Sequence, residues 1–438
     1  MMQTRPIGVD LFAGVGGMSL GFEQAGFDVL AAVELDPVHC AAHAFNFPDW
    51  TILCCSIRDV TGAEIRQRSA IGDRPVDVVF GGPPCQGFSF MGKRELDDPR
   101  NHLLFEFARL VRELEANYFI MENVRGMTVG EHRTYLERAI EVFEESGYEV
   151  ERQYRVLNAA DYGVPQNRQR LFLLGCRRGL PLPHYPLPLT RPADPKRTTI
   201  SSSGLPPGPT VRDAIADIPD AENFPELWDS DEAIAEFGQP SSYSAALRGL
   251  TPIQHYGYIR PFEPHLLTSS IRTRHSPKTR RRFAETLPGE REPISRFFKL
   301  HPEGISTTLR AGTARTRGAF TSPRPIHYAR DRCITVREAA RLHSYPDYFR
   351  FHFTKWHGFR QIGNSVPPQL ARAVATEILK ALDVEPRAPE RPMQLGDKQL
   401  LTRTLHHYAK YFGVSDGVIP PRTLGGYTSA TSTSSAKS

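Results

Sequence analysis

The segment Gly81-Gly82-Pro83-Pro84-Cys85-Gln86-Gly87-Phe88-Ser89 holds a cysteine in a loop stiffened by two prolines. It directly follows the apolar run Val76–Phe80, so a strand delivers the thiol to the carboxyl edge of a sheet, where α/β proteins place their ligands. A buried structural cysteine is the alternative, and it is disfavoured because the fixed loop exposes the thiol. An unperturbed thiol is only a few per cent thiolate at neutral pH, so a nucleophilic Cys85 requires an activating environment. A second apolar run, Tyr118–Met121, delivers Glu122 to a neighbouring strand end. This carboxyl is either a surface group or, beside a nucleophile, a candidate acid. Gln166-Asn167-Arg168-Gln169-Arg170 brings two guanidinium groups to the same edge, to meet Glu122 and an anionic substrate or simply to be solvated.

A glycine-rich turn, Asp10-Leu11-Phe12-Ala13-Gly14-Val15-Gly16-Gly17, joins the first strand to the first helix and brings backbone N–H groups close to a ligand. The next strand ends in Glu34, where a carboxylate can hold ribose hydroxyls. Together they point to a nucleoside-containing cofactor, without separating NAD from S-adenosylmethionine.

The elements that position these groups follow from periodicity. Ile7–Phe12, Val29–Val33, Val76–Phe80, Tyr118–Met121 and Arg170–Gly175 read as strands, and Met18–Ala25, Leu103–Leu114 and Tyr135–Glu145 as helices. The alternation predicts an α/β fold with a doubly wound sheet. Near Leu180 the composition turns rich in proline and then serine, which marks a connector. We expect a catalytic and cofactor-binding domain over 1–180, completed by 334–384. Residues 181–333 read as connector and a smaller, irregular target-recognition domain, and 385–438 as a C-terminal extension whose last residues have the composition of a disordered tail. Helices are expected at Glu338–Leu342, from Pro367 to about Leu382, and near Leu400–Phe412.

The chain has 438 residues, 40% hydrophobic and 24% charged, with no run long enough for a membrane span and no signal-like start, so an intracellular protein is expected. Its six cysteines form no CxxC pair, which suggests neither zinc nor a disulfide framework, and Cys54 and Cys55 read as core residues of a short strand. Net charge is +5, yet residues 255–332 carry 16 Lys and Arg against 6 Asp and Glu. A local excess of that size suits a polyanion.

These motifs, in this order from residue 7 to about 382, resemble the prokaryotic DNA (cytosine-5) methyltransferases. The turn at 10–17, Gly82-Pro83-Pro84-Cys85-Gln86, Glu122-Asn123-Val124 and Gln166-x-Arg168-x-Arg170 match that family's cofactor, nucleophile, carboxylate and arginine motifs. Arg337-Glu338-Ala339-Ala340-Arg341-Leu342 and Gln361-Ile362-Gly363-Asn364-Ser365-Val366-Pro367 match its C-terminal ones. The resemblance implies an S-adenosylmethionine-dependent, Rossmann-like fold and methyl transfer to C5 of a flipped cytosine, in a restriction-modification setting. It implies catalytic roles for Cys85, Glu122, Arg168 and Arg170. The cofactor would be bound by Phe12, Ala13, Gly14, Gly16 and Gly17, with Glu34 on the ribose and Leu35 near the adenine, and by Ser56, Ile57, Pro83, Leu103, Asn364 and Val366. The family's acidic residue at the adenine amino group is replaced in Ser56-Ile57-Arg58-Asp59, where Ser56 is a neutral acceptor and Asp59 a candidate helix cap. Ser89–Arg100, with Lys93 and Arg94, resembles the family's closing loop. Thr308-Leu309 resembles its recognition signature, and Arg310, Arg315 and Arg317 are candidates for base or phosphate contact. The implied partner is double-stranded DNA, bound by a monomer without metal or membrane, in the bacterial cytoplasm at the nucleoid. A related RNA methyltransferase, an inactive DNA-binding relative and an NAD-dependent dehydrogenase are the competing readings.

Overall fold

The computed structural model describes residues 5–84, 103–193, 204–312 and 324–415. Five parallel strands, β1 (Ile7–Leu11), β2 (Asp28–Glu34), β3 (Thr51–Cys54), β4 (Val78–Gly81) and β5 (Tyr118–Val124), lie in the order β3-β2-β1-β4-β5. The sheet continues antiparallel through β8 (Gln169–Arg177), which pairs with β5 on one side and with β6 (Tyr148–Val150) and β7 (Arg155–Asn158) on the other. Strand order runs one way from β1 to β3 and the other way from β4 to β5. The crevice between β1 and β4 is therefore the topological switch point at which such sheets bind ligands.

Helices cover both faces, as the alternating pattern requires. On one face α1 (Gly17–Ala25) packs against the sheet, with Phe22 stacked on Phe80 at a ring-centroid distance of 3.7 Å. The other is covered by α3 (Gly62–Arg68), α4 (Leu103–Glu113) and α5 (Glu131–Glu145), with Phe119 stacked on Phe143 at 3.8 Å. Two helices of this half escaped the periodicity reading, α3 and α2 (Pro37–Asn46). Both are marked by caps rather than by period. Asp36 accepts from the Val38 N–H with Pro37 in the first turn, and Thr61 forms a capping box with Glu64. The cap of α3 is thus Thr61, which corrects the capping role considered for Asp59.

From residue 204 the elements are short: α6 (Val211–Ile215), β9 (Ala233–Ile234), α7 (Ser242–Leu247), β10 (Leu266–Leu267) and α8 (Pro277–Glu285). Then come α9 (Val336–Arg341), α10 (Lys355–Asn364), α11 (Pro368–Leu382) and α12 (Leu405–Phe412). α11 lies on α1 so closely that a Cβ at Gly21 would meet the Ala371 Cβ at 2.4 Å. Apolar packing is supplemented here by buried ion pairs. Arg341 pairs with Asp347 (Nη2–Oδ2 2.7 Å) and Asp217 (3.2 Å), Arg332 with Glu338 (2.8 Å) and Asp220 (3.1 Å), and Arg260 with Glu23 (2.6 Å). Among the described residues no helix is long and apolar enough to cross a membrane, and no group of His, Cys, Asp and Glu could hold a metal ion.

Candidate active site

A cavity of about 490 Å³ opens at the switch point. One wall is the turn after β1, with Phe12, Ala13, Gly14 and Gly17; another is the end of β2, with Glu34 and Leu35. Ser56 and Ile57 close one side, Pro83 and Leu103 another, and Asn364 and Val366 return from the C-terminal part of the chain. Twelve of the thirteen residues expected around a cofactor therefore line one space. Gly16 is the exception: it caps α1 and faces inward, where a Cβ would lie 2.5 Å from the Phe47 ring. Its role is to make the turn rather than the wall. Gly17 permits the return of the C-terminal segment, since a Cβ there would meet the Val366 carbonyl oxygen at 2.5 Å.

Glu34 is fixed by backbone donors. Its Oε2 accepts from the Gly14 N–H and its Oε1 from the Asp36 N–H, both at 2.8 Å, which ties the β1 turn to β2 and leaves lone pairs toward the cavity. Ser56 Oγ accepts from the Arg58 N–H at 3.2 Å, so its hydroxyl hydrogen is left to another partner and its acceptor capacity toward the cavity is reduced. Asp10, Asp36 and Arg360 also line the cavity and were not singled out from the sequence. Arg360 pairs with Asp36 at 3.3 Å, linking α10 to the start of α2. Nothing in the spacing of two residues 324 positions apart signals such a contact.

The far end of the same cavity carries Glu122 and Arg170. Glu122 stands opposite Phe172 and Arg170 opposite Val124 in the antiparallel β5–β8 ladder, so the two side chains are diagonal neighbours on one face. Arg170 Nε lies 2.7 Å from Glu122 Oε1. Burial raises the Glu122 carboxyl above the ordinary carboxylate range, against the opposing pull of Arg170 and, more weakly, Arg168. Gly82 makes room for it, since a Cβ there would stand 2.6 Å from Glu122 Oε2. Asn123 donates from Nδ2 to the Pro83 carbonyl at 3.1 Å and pins the loop that leads to the cysteine. Its only sequence signal was its place beside Glu122.

Arg168 does not join this pair, contrary to the expectation that both arginines meet the carboxylate. Its side chain is buried, and it donates to the carbonyls of Leu309 (2.8 Å), Gly363 (2.9 Å) and Ser365 (2.7 Å). It is a positioning residue that binds the β7–β8 hairpin to the two segments beside it. Thr308 is likewise an anchor, its hydroxyl donating to the Asn167 carbonyl at 2.6 Å, whereas Arg310 is exposed. Cys85, Ser89, Lys93, Arg94, Arg315 and Arg317 lie outside the described residues.

A doubly wound sheet with a ligand cavity at its switch point and an acid–arginine pair in that cavity is the arrangement of a Rossmann-like α/β enzyme. Residues 8–380 match the model of the C-5 cytosine-specific DNA methylase family. The chain belongs to that family and is a DNA (cytosine-5) methyltransferase. The type II methyltransferase M.XorII of Xanthomonas oryzae pv. oryzae is 58% identical over 421 residues, covering 96% of this chain and 95% of that protein. The type II methyltransferase M1.HphI of Haemophilus parahaemolyticus is 34% identical, covering 85% and 86% respectively. Among solved structures, a protein named as a DNA modification methyltransferase encoded within an E. coli prophage shares 32% identity at a TM-score of 0.67, over 86% of this chain and 99% of that one.

Proposed function

We propose that the enzyme methylates C5 of a cytosine flipped out of duplex DNA, with Cys85 as covalent nucleophile and S-adenosylmethionine as methyl donor, within a restriction-modification system. The observation that carries this reading is the partly buried Glu122–Arg170 pair in the same cavity as the glycine turn, beside the Gly82-Pro83-Pro84 loop that runs into Cys85. The lining fits a nucleoside cofactor: a carboxylate for the ribose, a glycine turn that lets a ligand come close to the backbone, and an apolar wall of Leu35, Ile57 and Pro83. Bound there, S-adenosylmethionine supplies an electrophilic methyl group.

Cytosine C5 is a poor nucleophile, and addition of the Cys85 thiolate to C6 makes it enamine-like. Negative charge then develops toward N3. Burial favours the acid form of the Glu122 carboxyl, in which it can give its proton there, and Arg170 orients Glu122 and can hold O2 of the base. After methylation a base takes the C5 proton and Cys85 departs by elimination. The target atom is unreachable inside a duplex, so the base must be flipped out at a cost of roughly a few kcal/mol. Protein–DNA contacts offset that cost; residues 181–333, as the recognition domain, would supply them with the loop from Ser89.

Incubation with duplex DNA containing 5-fluorocytosine tests the covalent step. The wild type is expected to form an adduct resistant to denaturation, while Cys85→Ser forms none, methylates no DNA and still binds it. Full methylation by Cys85→Ser would overturn the mechanism.

A further inference from the structure

At least seven of the fourteen described Lys and Arg between residues 255 and 332 are engaged by partners within the protein. Arg260, Arg272, Arg280, Arg282, Arg330 and Arg332 each pair with a carboxylate, and Lys299 donates to the Phe283 carbonyl. The excess legible in the sequence is therefore a poor guide to which cations face a polyanion. Three cations are pooled instead at the start of α10. Lys355 Nζ donates to the Arg272 carbonyl at 2.6 Å, and the Arg274 and Arg324 guanidiniums both lie within electrostatic reach of its ammonium. Arg274 is exposed and rests on the Trp228 ring at 5.1 Å from its centroid, beside Arg272 at 4.1 Å. Arg324 lies over the Phe359 ring at 5.3 Å, with a buried Nε that has no hydrogen-bond partner among the described residues. The acids of this region, Glu222 and Asp331, are already engaged by Arg272 and Arg280.

Burial, together with Arg324 and Arg274 and against Cys333, pulls Lys355 down to about 8. Gathering like charges costs free energy in the free protein, and a bound anion relieves that cost. The cluster is also well placed. α10 begins at Lys355 and ends at Asn364 in the cavity wall, a rise of about 14 Å along the helix. That length spans roughly four phosphates of one DNA strand.

We propose that Arg274, Arg324 and Lys355 bind a backbone phosphate of duplex DNA, a few nucleotides from the flipped cytosine. The assignment rests on the reading of duplex DNA as substrate. It adds Lys355, which lies outside the basic stretch, and shifts weight from charge count to unpaired charge.

The test is binding of a labelled mixed-sequence duplex by the full chain over a range of salt concentrations, which reports phosphate contacts independently of any recognition sequence. Lys355→Gln and Arg274→Gln are each expected to flatten the log–log salt dependence, by at most about 1 because a single phosphate is shared, while cofactor affinity stays at the wild-type value. Lys355→Arg should restore the slope, and Lys410→Gln, which removes the same charge from α12, should leave it unchanged. Arg274 is exposed, so its variant keeps the test open should Lys355→Gln fail to fold. Wild-type slopes in both Gln variants overturn the cluster and leave DNA as the substrate. A wild type that binds tRNA and not duplex DNA overturns the substrate reading as well.

Discussion

The two halves of this molecule hold their shape by different means. In the sheet half, residues such as Val79, Phe80, Ile120 and Leu173 are fully buried and apolar, and layers of aromatic rings lock the helices on. In the half between residues 204 and 350, cohesion depends on buried charge: Arg341 reaches Asp347 and Asp217, and Arg332 reaches Glu338 and Asp220. Apolar packing is tolerant of shape-conserving change. A buried ion pair is not, because removal of one partner strands the other without water. The comparison teaches that the sheet half is a forgiving scaffold, whereas the half between residues 204 and 350 has a geometry dictated by pairing.

Four measurements sharpen or break that contrast. The largest effect is expected at Glu122→Gln, which should lower turnover by roughly 10²–10⁴-fold, the usual contribution of a positioned acid, with both halves still folded. Single-turnover methylation and thermal unfolding, read side by side, would expose an error if turnover survived. Arg341→Met should cost about 3–5 kcal/mol of stability by stranding Asp347 and Asp217. Leu173→Met in the sheet core should cost less than about 1.5 kcal/mol. Equal losses in urea unfolding would remove the distinction between the halves.

The third concerns acid. Although burial opposes it, Arg332, His327 and the cap at Thr335 hold the Glu338 carboxyl at about 2, below its unfolded value near ~4.3. Its stabilisation is therefore fully present above the unfolded value and is lost as pH falls from there toward 2. Glu338→Gln should flatten the acid limb of the stability–pH curve, and an unaltered limb would show that the pair contributes nothing. The smallest effect is at the adenine end of the cavity. Ser56→Asp supplies a charged acceptor, and we expect cofactor to bind more tightly by about 1 kcal/mol, roughly fivefold, in a calorimetric titration. Unchanged or weaker binding would argue that Ser56 does not face the adenine.

Much of the sheet half was legible. Strands β1, β2, β4, β5 and β8 were found within a few residues because each is a short apolar run bounded by turn residues. The cavity-lining residues were legible for a related reason: a parallel sheet brings its strand ends to one edge, so residues after successive strands converge whatever their distance in sequence. Arg168 shows the limit. Its motif promised a partner for Glu122, and only the hairpin's packing turned its guanidinium toward three carbonyls instead. The basic excess of 255–332 shows the same limit, because charge can be counted in a sequence while pairing cannot.

By itself the sequence determined the doubly wound order, the proline-bound position of Cys85, the glycine turn and the identity of the groups at the sheet edge, since local periodicity and turn chemistry are properties of neighbouring residues. Only the tertiary structure decided which arginine meets Glu122, which cations are left unpaired, and that Asp36 and Arg360 complete the cavity wall. Those are outcomes of long-range packing, in which desolvation forces each buried charge to find a partner, and the partner is chosen by proximity in space.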